Sequence, residues 1–273
     1  MTPFSVCISV YKNDNAAYFL NALRSISAGQ TVKPQEIVLV VDGPVGTDIE
    51  NSITQFQGEF AAIRLIRLQT NCGHAVARQT AVDACQTELI AIMDSDDIAL
   101  PDRFEKQILY FEQHPQTDVL GGQITEFINQ TDNIAGKREV PLSDKKIKQY
   151  LKQRCPMNFM TIMIKKTALV KVGGIMDWFC EEDYYLWIRM VLANCIFANL
   201  DETLVNVRVG EEMYKRRGGW RYFKSERDIQ KFMLNNKIIS LPRYLFNVCA
   251  RFFIQILMPN SVRSFIFQKL FRK

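Results

Sequence analysis

The first hundred residues repeat one pattern four times: a short, almost wholly apolar run and then a stretch with helical apolar spacing. The apolar runs are residues 5–10, 36–41, 63–68 and 89–93, and the helical stretches between them are 16–27, 47–56 and 74–85. A strand that is apolar on both faces must be covered by helices on both faces. Strand and helix in strict alternation predict a parallel α/β sheet. The rhythm changes after residue 100. Pro101 opens a helix to about Gln113, and residues 117–165 mix short strands with a polar helix near 144–153. A helix over 181–193, short strands near 195–207, a basic Gly-rich segment and two or three closing helices complete the expected order.

Composition narrows the class. The chain has 273 residues, 48% hydrophobic and 23% charged, enough for one sizeable core with appendages. Seven cysteines are scattered with no C-x-x-C pair, and there are only two histidines, His74 and His114. That excludes a zinc site or a disulfide scaffold and predicts reduced thiols in a reducing compartment. The first apolar run has no basic leader and reads as a strand, so the chain is expected to work in the cytosol.

Charge is unevenly spread. Residues 237–273 hold seven basic residues and no acid, which leaves 27 of the 34 basic residues against 29 acids in the rest. The tail is therefore +7 and the remainder −2. A nucleic-acid binder would carry its basic residues through the fold, so no nucleic-acid partner is expected. Within the tail, residues 244–258 form an amphipathic helix with Asn247, Arg251 and Gln255 as a narrow polar stripe, and a second such helix follows over 261–271. The run is too short to span a bilayer and contains Arg251. Basic, aromatic-rich helices of this kind lie in membrane interfaces, although packing on the rest of the chain would also account for them. The chain divides at 1–236 and 237–273.

Five constellations carry chemistry. Asp94, Asp96 and Asp97 close the fourth apolar run, where ligands bind in open α/β sheets. Clustered carboxylates there suit Mg²⁺ or Mn²⁺ bridging to a diphosphate, or an acidic turn capping the next helix. Asp42 ends the second run before Gly43-Pro44, where it could accept from a ribose or a base, or simply make a turn. Asn71-Cys72-Gly73 opens a helix whose exposed N–H groups suit a phosphate, with Arg78 one turn inside. Glu181-Glu182-Asp183 crowd a helix start, which the macrodipole alone would favour, but a carboxylate there could also act as general base. Arg216-Arg217-Gly218-Gly219 suits a loop over a diphosphate, or an exposed basic loop.

Taken in order, these segments resemble the family 2 glycosyltransferases of the GT-A fold, in the bacterial exopolysaccharide and O-antigen branch of the amylovoran-biosynthesis type. The matching stretches are residues 5–11, 36–44, Asn71-x-Gly73, 93–104, 182–189 and 213–220. The resemblance implies a Rossmann-type, mostly parallel sheet flanked by helices, with C-terminal amphipathic helices. It implies that Tyr11 and Asp42 hold the nucleotide, with Asn71, Gly73 and Arg78 assisting. Asp94 and Asp96 look like the metal-binding pair, with Asp97 beside them and Asp94 also near the nucleotide. Asp183, with Glu182 next to it, looks like the base, and Arg216 and Arg217 like the diphosphate loop. The usual Asp-Asp-Gly-Ser turn reads Val41-Asp42-Gly43-Pro44 here, with one acid fewer. The implied activity is inverting, metal-dependent transfer of a hexose or N-acetylhexosamine from a UDP-sugar to a lipid-diphosphate-linked saccharide. Its place would be the cytoplasmic face of the bacterial inner membrane, as a peripheral protein. A sugar nucleotidyltransferase fits less well because no Gly-rich basic loop follows the first strand, and a dehydrogenase because no G-x-G-x-x-G does. A non-catalytic scaffold would not need the acid set.

Overall fold

Strand β1 (Phe4–Val10) pairs in parallel with β2 (Glu36–Val41) on one side and with β4 (Leu89–Met93) on the other, and β3 (Ile63–Arg67) lies beyond β2. The structure is a computed structural model that describes residues 2–210 and 218–258. Helices α1 (Ala16–Ser25), α2 (Thr47–Glu59) and α3 (His74–Ala84) connect these strands. Alternate residues of each strand feed two different cores. Val6, Ile8, Ile37, Leu39 and Met93 pack with Phe19, Leu23, Ile53 and Phe56 of α1 and α2. Cys7, Val38, Val40, Ile90 and Ile92 pack with Ala77 and Ala81 of α3 on the opposite face. This two-sided burial is the physical reason the strands are unbroken apolar runs. Asn15 caps α1 by accepting from the Ala17 and Tyr18 N–H groups, a contribution of about 1 kcal/mol.

The rest of the sheet is mixed. It is built from β5 (Ile98–Ala99), β6 (Val119–Phe127), β7 (Ile134–Arg138), β8 (Met163–Lys165) and β9 (Phe197–Arg208). The order runs β3-β2-β1-β4-β8-β6-β9-β5, with β7 paired to β6. β8 is antiparallel to β4 and β6, whereas β6 and β9 are parallel. Helices α4 (Arg103–Gln113), α5 (Asp144–Leu151), α6 (Lys166–Lys171) and α7 (Glu182–Leu192) fill the connections. The short strands expected near 195–207 are one twelve-residue strand, β9. Its exposed centre, Asp201-Glu202, sits where the register with β6 shifts at Gly121/Gln123. A bulge of this kind puts polar residues inside a continuous strand and mimics a break in the sequence.

Helices α8 (Trp220–Asn235) and α9 (Leu241–Phe252) follow, and α9 continues as a π-helical turn at Phe253–Leu257. No described helix is long and apolar enough to cross a membrane. The polar stripe of α9 faces inward. Asn247 Nδ2 donates to Gln230 Oε1 at 2.7 Å and to the Lys152 carbonyl at 2.9 Å. Arg251 donates to the Gln153 carbonyl at 2.7 Å and pairs with Glu226 at 3.1 Å, and Gln255 donates to Glu226. Leu241, Leu245, Phe246, Phe253 and Leu257 point outward, each more than half exposed. The helix is thus docked on the rest of the chain by its polar side. The helix expected over 261–271 and the Arg216-Arg217 loop lie outside the described residues.

Candidate active site

The sheet order changes direction at β1, which has β2 and β3 on one side and β4 on the other. A crevice opens beyond the carboxyl ends of strands at such a point. Tyr11 leaves β1 there, Asp42 leaves β2 and Asp94 leaves β4. Asp42 is almost fully buried, and its carboxylate is engaged in shaping the crevice wall. Its oxygens accept from Asn71 Nδ2 at 3.0 Å, the Cys72 N–H at 2.7 Å and the Gly73 N–H at 2.9 Å. The loop 71–73 can come this close because Gly43, at φ 82°, has no Cβ; one placed there would stand 2.5 Å from the Asn71 nitrogen. Gly73, at φ 92°, then turns the chain into α3. The Tyr11 ring lies edge-on to His74, with centroids 6.0 Å apart. Tyr11, Asp42, Asn71 and Gly73 therefore share one end of the crevice.

The acids after β4 divide into two groups. Asp97 turns inward: it is buried, and its Oδ1 accepts the Arg208 N–H at the end of β9 at 2.9 Å. Burial first, and then the charges of Asp96 and Asp94, push its pKa well above the ordinary carboxylate range. Asp96 and Asp94 stay at the crevice, joined by Asp14, which accepts from Tyr11 N–H at 3.0 Å and from the Ser95 hydroxyl at 2.9 Å. Burial and the charges of Asp94 and Asp14 raise Asp96 to about 6. Beneath them the fully buried Arg103 donates to the Ile92 carbonyl at 2.8 Å. Burial pulls its pKa down to about 9 while Asp94 and Asp97 act to raise it, so it remains cationic at neutral pH under the acid cluster.

Among the described residues, no group of three His, Cys, Asp or Glu side chains is disposed to hold a metal ion. The donor set nevertheless suits a hard divalent cation. Mg²⁺ is commonly bound by one or two carboxylates together with substrate phosphates, and the mutual repulsion that raises Asp96 is what such a charge would relieve. Asp94 and Asp96 fit that role, whereas Asp97 is committed to Arg208.

Arg78 ties this cluster to α7. Its guanidinium donates to Asp94 Oδ1 at 2.6 Å and to Glu182 Oε1 at 3.0 Å, and lies 4.8 Å over the Phe159 ring. Burial acts to lower its pKa, but Asp94, Glu182 and Asp183 outweigh burial and the net shift is upward. Burial raises Glu182 in turn, with Arg78 opposing. Helix α7 is held by Trp187, fully buried against Phe159 and Phe197, so its acidic first turn is fixed at the crevice. Asp183 Oδ2 accepts from the Cys155 thiol at 3.2 Å, and its Oδ1 accepts the Tyr184 N–H at 2.6 Å. Asp183 also lines a cavity of about 370 Å³ that extends under α8 and α9.

The structure thus gathers the described candidates at one crevice and its adjoining cavity, except Asp97, which turns inward to Arg208. Sequence reading missed Asp14, Cys155, Phe159 and Arg208. Cys155, Phe159 and Arg208 carry no local signal, because each reaches the site by tertiary approach from an element far along the chain, whereas Asp14 stands three residues after Tyr11 and was readable as a further acid at the end of β1.

This chain belongs to the Glycosyl transferase family 2, whose sequence pattern matches residues 5–176. It is 33% identical over 268 residues to the amylovoran biosynthesis glycosyltransferase AmsE of Erwinia amylovora, covering 97% of this chain and 98% of AmsE. It is 30% identical over 270 residues to the UDP-Gal:alpha-D-GlcNAc-diphosphoundecaprenol beta-1,3-galactosyltransferase of Escherichia coli, covering 99% and 97% of the two. The fold is similar to that of S. aureus TarS 1-349 in complex with UDP-GlcNAc, with a TM-score of 0.66 and 20% identity over 92% of this chain and 73% of that one. Against a longer TarS chain it spans 44%. The GT-A-like fold and the glycosyltransferase class expected from sequence therefore hold.

Proposed function

We propose that this glycosyltransferase moves a hexose or N-acetylhexosamine from a UDP-sugar to a lipid-diphosphate-linked saccharide, with inversion, during cell-surface polysaccharide assembly. The observation that carries the reading is the Arg78 bridge, which ties the strand-end acid Asp94 to Glu182 in the first turn of α7, beside Asp183. The named reaction of the E. coli relative, from a UDP-sugar to a diphosphate-lipid acceptor, supports the substrate classes.

The uridine end of the donor lies along Tyr11, Asp42 and the 71–73 loop, and its diphosphate at Asp94 and Asp96. Mn²⁺ or Mg²⁺, held by Asp94 and Asp96, would stabilise negative charge on the leaving diphosphate. Arg216 and Arg217 are assigned to the same diphosphate on their sequence alone. Asp183 accepts the proton of an acceptor hydroxyl as that oxygen bonds to the anomeric carbon. The bond from that carbon to the diphosphate oxygen breaks on the opposite face, and its electron pair leaves with UDP. One displacement converts an α-linked donor into a β-glycoside. Glu182, paired with Arg78, keeps α7 in register with the donor. The apolar outer side of α9 and the +7 tail support a peripheral position at the cytoplasmic membrane surface.

The test is transfer from each UDP-sugar to a synthetic saccharide-diphosphate-lipid, read by mass spectrometry with Mn²⁺, Mg²⁺ or EDTA. A β-linked product lost in EDTA and in Asp96→Ala is expected. Asp183→Asn should lower turnover by roughly 10²–10⁴-fold while UDP binding by calorimetry is kept. Product formation undiminished by EDTA, or near-normal turnover of Asp183→Asn, would overturn the metal or the base assignment respectively.

A further inference from the structure

The cavity beside Asp183 brings three kinds of chemistry together. Its lining includes Asp183 and Cys155, the guanidiniums of Arg138 and Arg243, and Phe246 and Ile254 of the α9 segment. Most of its acids are already engaged. Glu226 pairs with Arg251 at 3.1 Å, Glu126 is not without a partner, and Glu181 accepts from the Tyr222 hydroxyl at 2.8 Å. Arg138, from β7, and Arg243, from the first turn of α9, have no ion-pair partner among the described residues. Phe246 also belongs to the uncovered apolar side of α9, where it is 66% exposed and Leu245 53% exposed. An acid, two guanidiniums without an ion-pair partner among the described residues and an adjoining apolar surface are the groups that an amphiphile with an anionic joint would match.

The geometry points to this cavity as the seat of a lipid-tethered acceptor, its saccharide hydroxyl at Asp183, its phosphates between Arg138 and Arg243, and its hydrocarbon over Phe246 onto the outer side of α9. The inference rests on the reading of Asp183 as the base and assigns the acceptor's anchoring groups to named residues. Guanidinium is suited to a phosphate through paired N–H donors. The buried polar stripe of α9 is what makes the arrangement work. By docking through Asn247, Arg251 and Gln255, the helix turns its apolar side outward at the cavity mouth, so a lipid can remain in a membrane while its head enters. The recognised phosphate is that of the acceptor, distinct from the donor diphosphate at Asp94 and Asp96.

The experiment compares two acceptors on the full chain: N-acetylglucosaminyl diphosphate on a short alkyl chain, and the same sugar on the same chain without phosphates. In Arg138→Gln/Arg243→Gln, KM for the diphosphate acceptor should rise roughly tenfold or more, with KM for the phosphate-free acceptor and for the UDP-sugar unchanged. The single variant Arg243→Gln, at an exposed position, should show part of the same effect if the double variant folds poorly. An unchanged KM, an equal rise with both acceptors, or a rise confined to the UDP-sugar would overturn the proposal, the last by giving the arginines to the donor. Calorimetric binding of the alkyl diphosphate saccharide separates this inference from the reaction. Binding lost in the double variant supports the cavity even if the wild type transfers no sugar, whereas absent or unaltered binding refutes it.

Discussion

Arg78 Nη2 donates to Asp94 Oδ1 at 2.6 Å, joining the end of β4 to helix α3. Because the same guanidinium also holds Glu182 of α7, the proposed donor and acceptor sides of the crevice share one fastener. Arg78→Ala should lower turnover about 100-fold through loss of alignment and destabilise the fold by about 3 kcal/mol, since two half-buried acids lose their counter-charge. Arg78→Lys keeps the charge but not the fork, and should recover stability better than turnover. Chemical denaturation alongside steady-state kinetics separates the two effects.

Asp42 holds the Asn71–Gly73 loop through three donors. In Asp42→Ala the part-buried Cys72 and Gly73 N–H groups lose their acceptor, which costs about 1 kcal/mol. The expected kinetic signature is a raised donor KM with acceptor KM unaltered. A variant with normal donor KM and lowered melting temperature would limit Asp42 to holding the loop.

Glu181 provides a pH-dependent prediction. Burial first, then the charges of Glu226 and Asp183, raise its pKa well above the ordinary carboxylate value, with Tyr222 opposing. The folded chain therefore binds this proton more tightly than the unfolded chain, and stability falls as pH rises above about 4.5, toward the raised folded pKa. Glu181→Gln removes the titration. The melting temperature of the variant minus that of the wild type should grow between pH 5 and pH 8. A constant difference across that range would show that Glu181 is not protonated in the fold.

The outer side of α9 should bind lipid. Phe246→Glu/Phe253→Glu replaces two exposed aromatic side chains, at 66% and 57% exposure, so each change should alter stability by no more than about 0.5 kcal/mol. Sedimentation with vesicles containing anionic lipid should show binding reduced several-fold, while donor binding is kept. Equal sedimentation of variant and wild type would place the membrane contact elsewhere.

Much of this protein was legible in residue order. The four apolar runs and the helices between them specify the parallel half of the sheet, because strands buried on both faces must be apolar throughout and because local periodicity is a property of the chain itself. The acids at strand ends and at the start of α7 also followed from the sequence, since the place where a strand stops is a local fact. Tertiary structure alone decided their partners. Asp94, Asp96 and Asp97 look equivalent along the chain, yet Asp97 turns to the Arg208 N–H 111 residues away while Asp94 meets Arg78. Asn247, Arg251 and Gln255 were readable as one stripe, but helical spacing groups residues on a face without saying what that face meets. Only the packing of α9 on Gln230, Glu226 and the carbonyls of Lys152 and Gln153 turned the stripe inward and left the apolar side uncovered. The reason is physical: periodicity is set by bonds between near neighbours, whereas the choice of partner is set by which distant groups can satisfy a buried charge or amide.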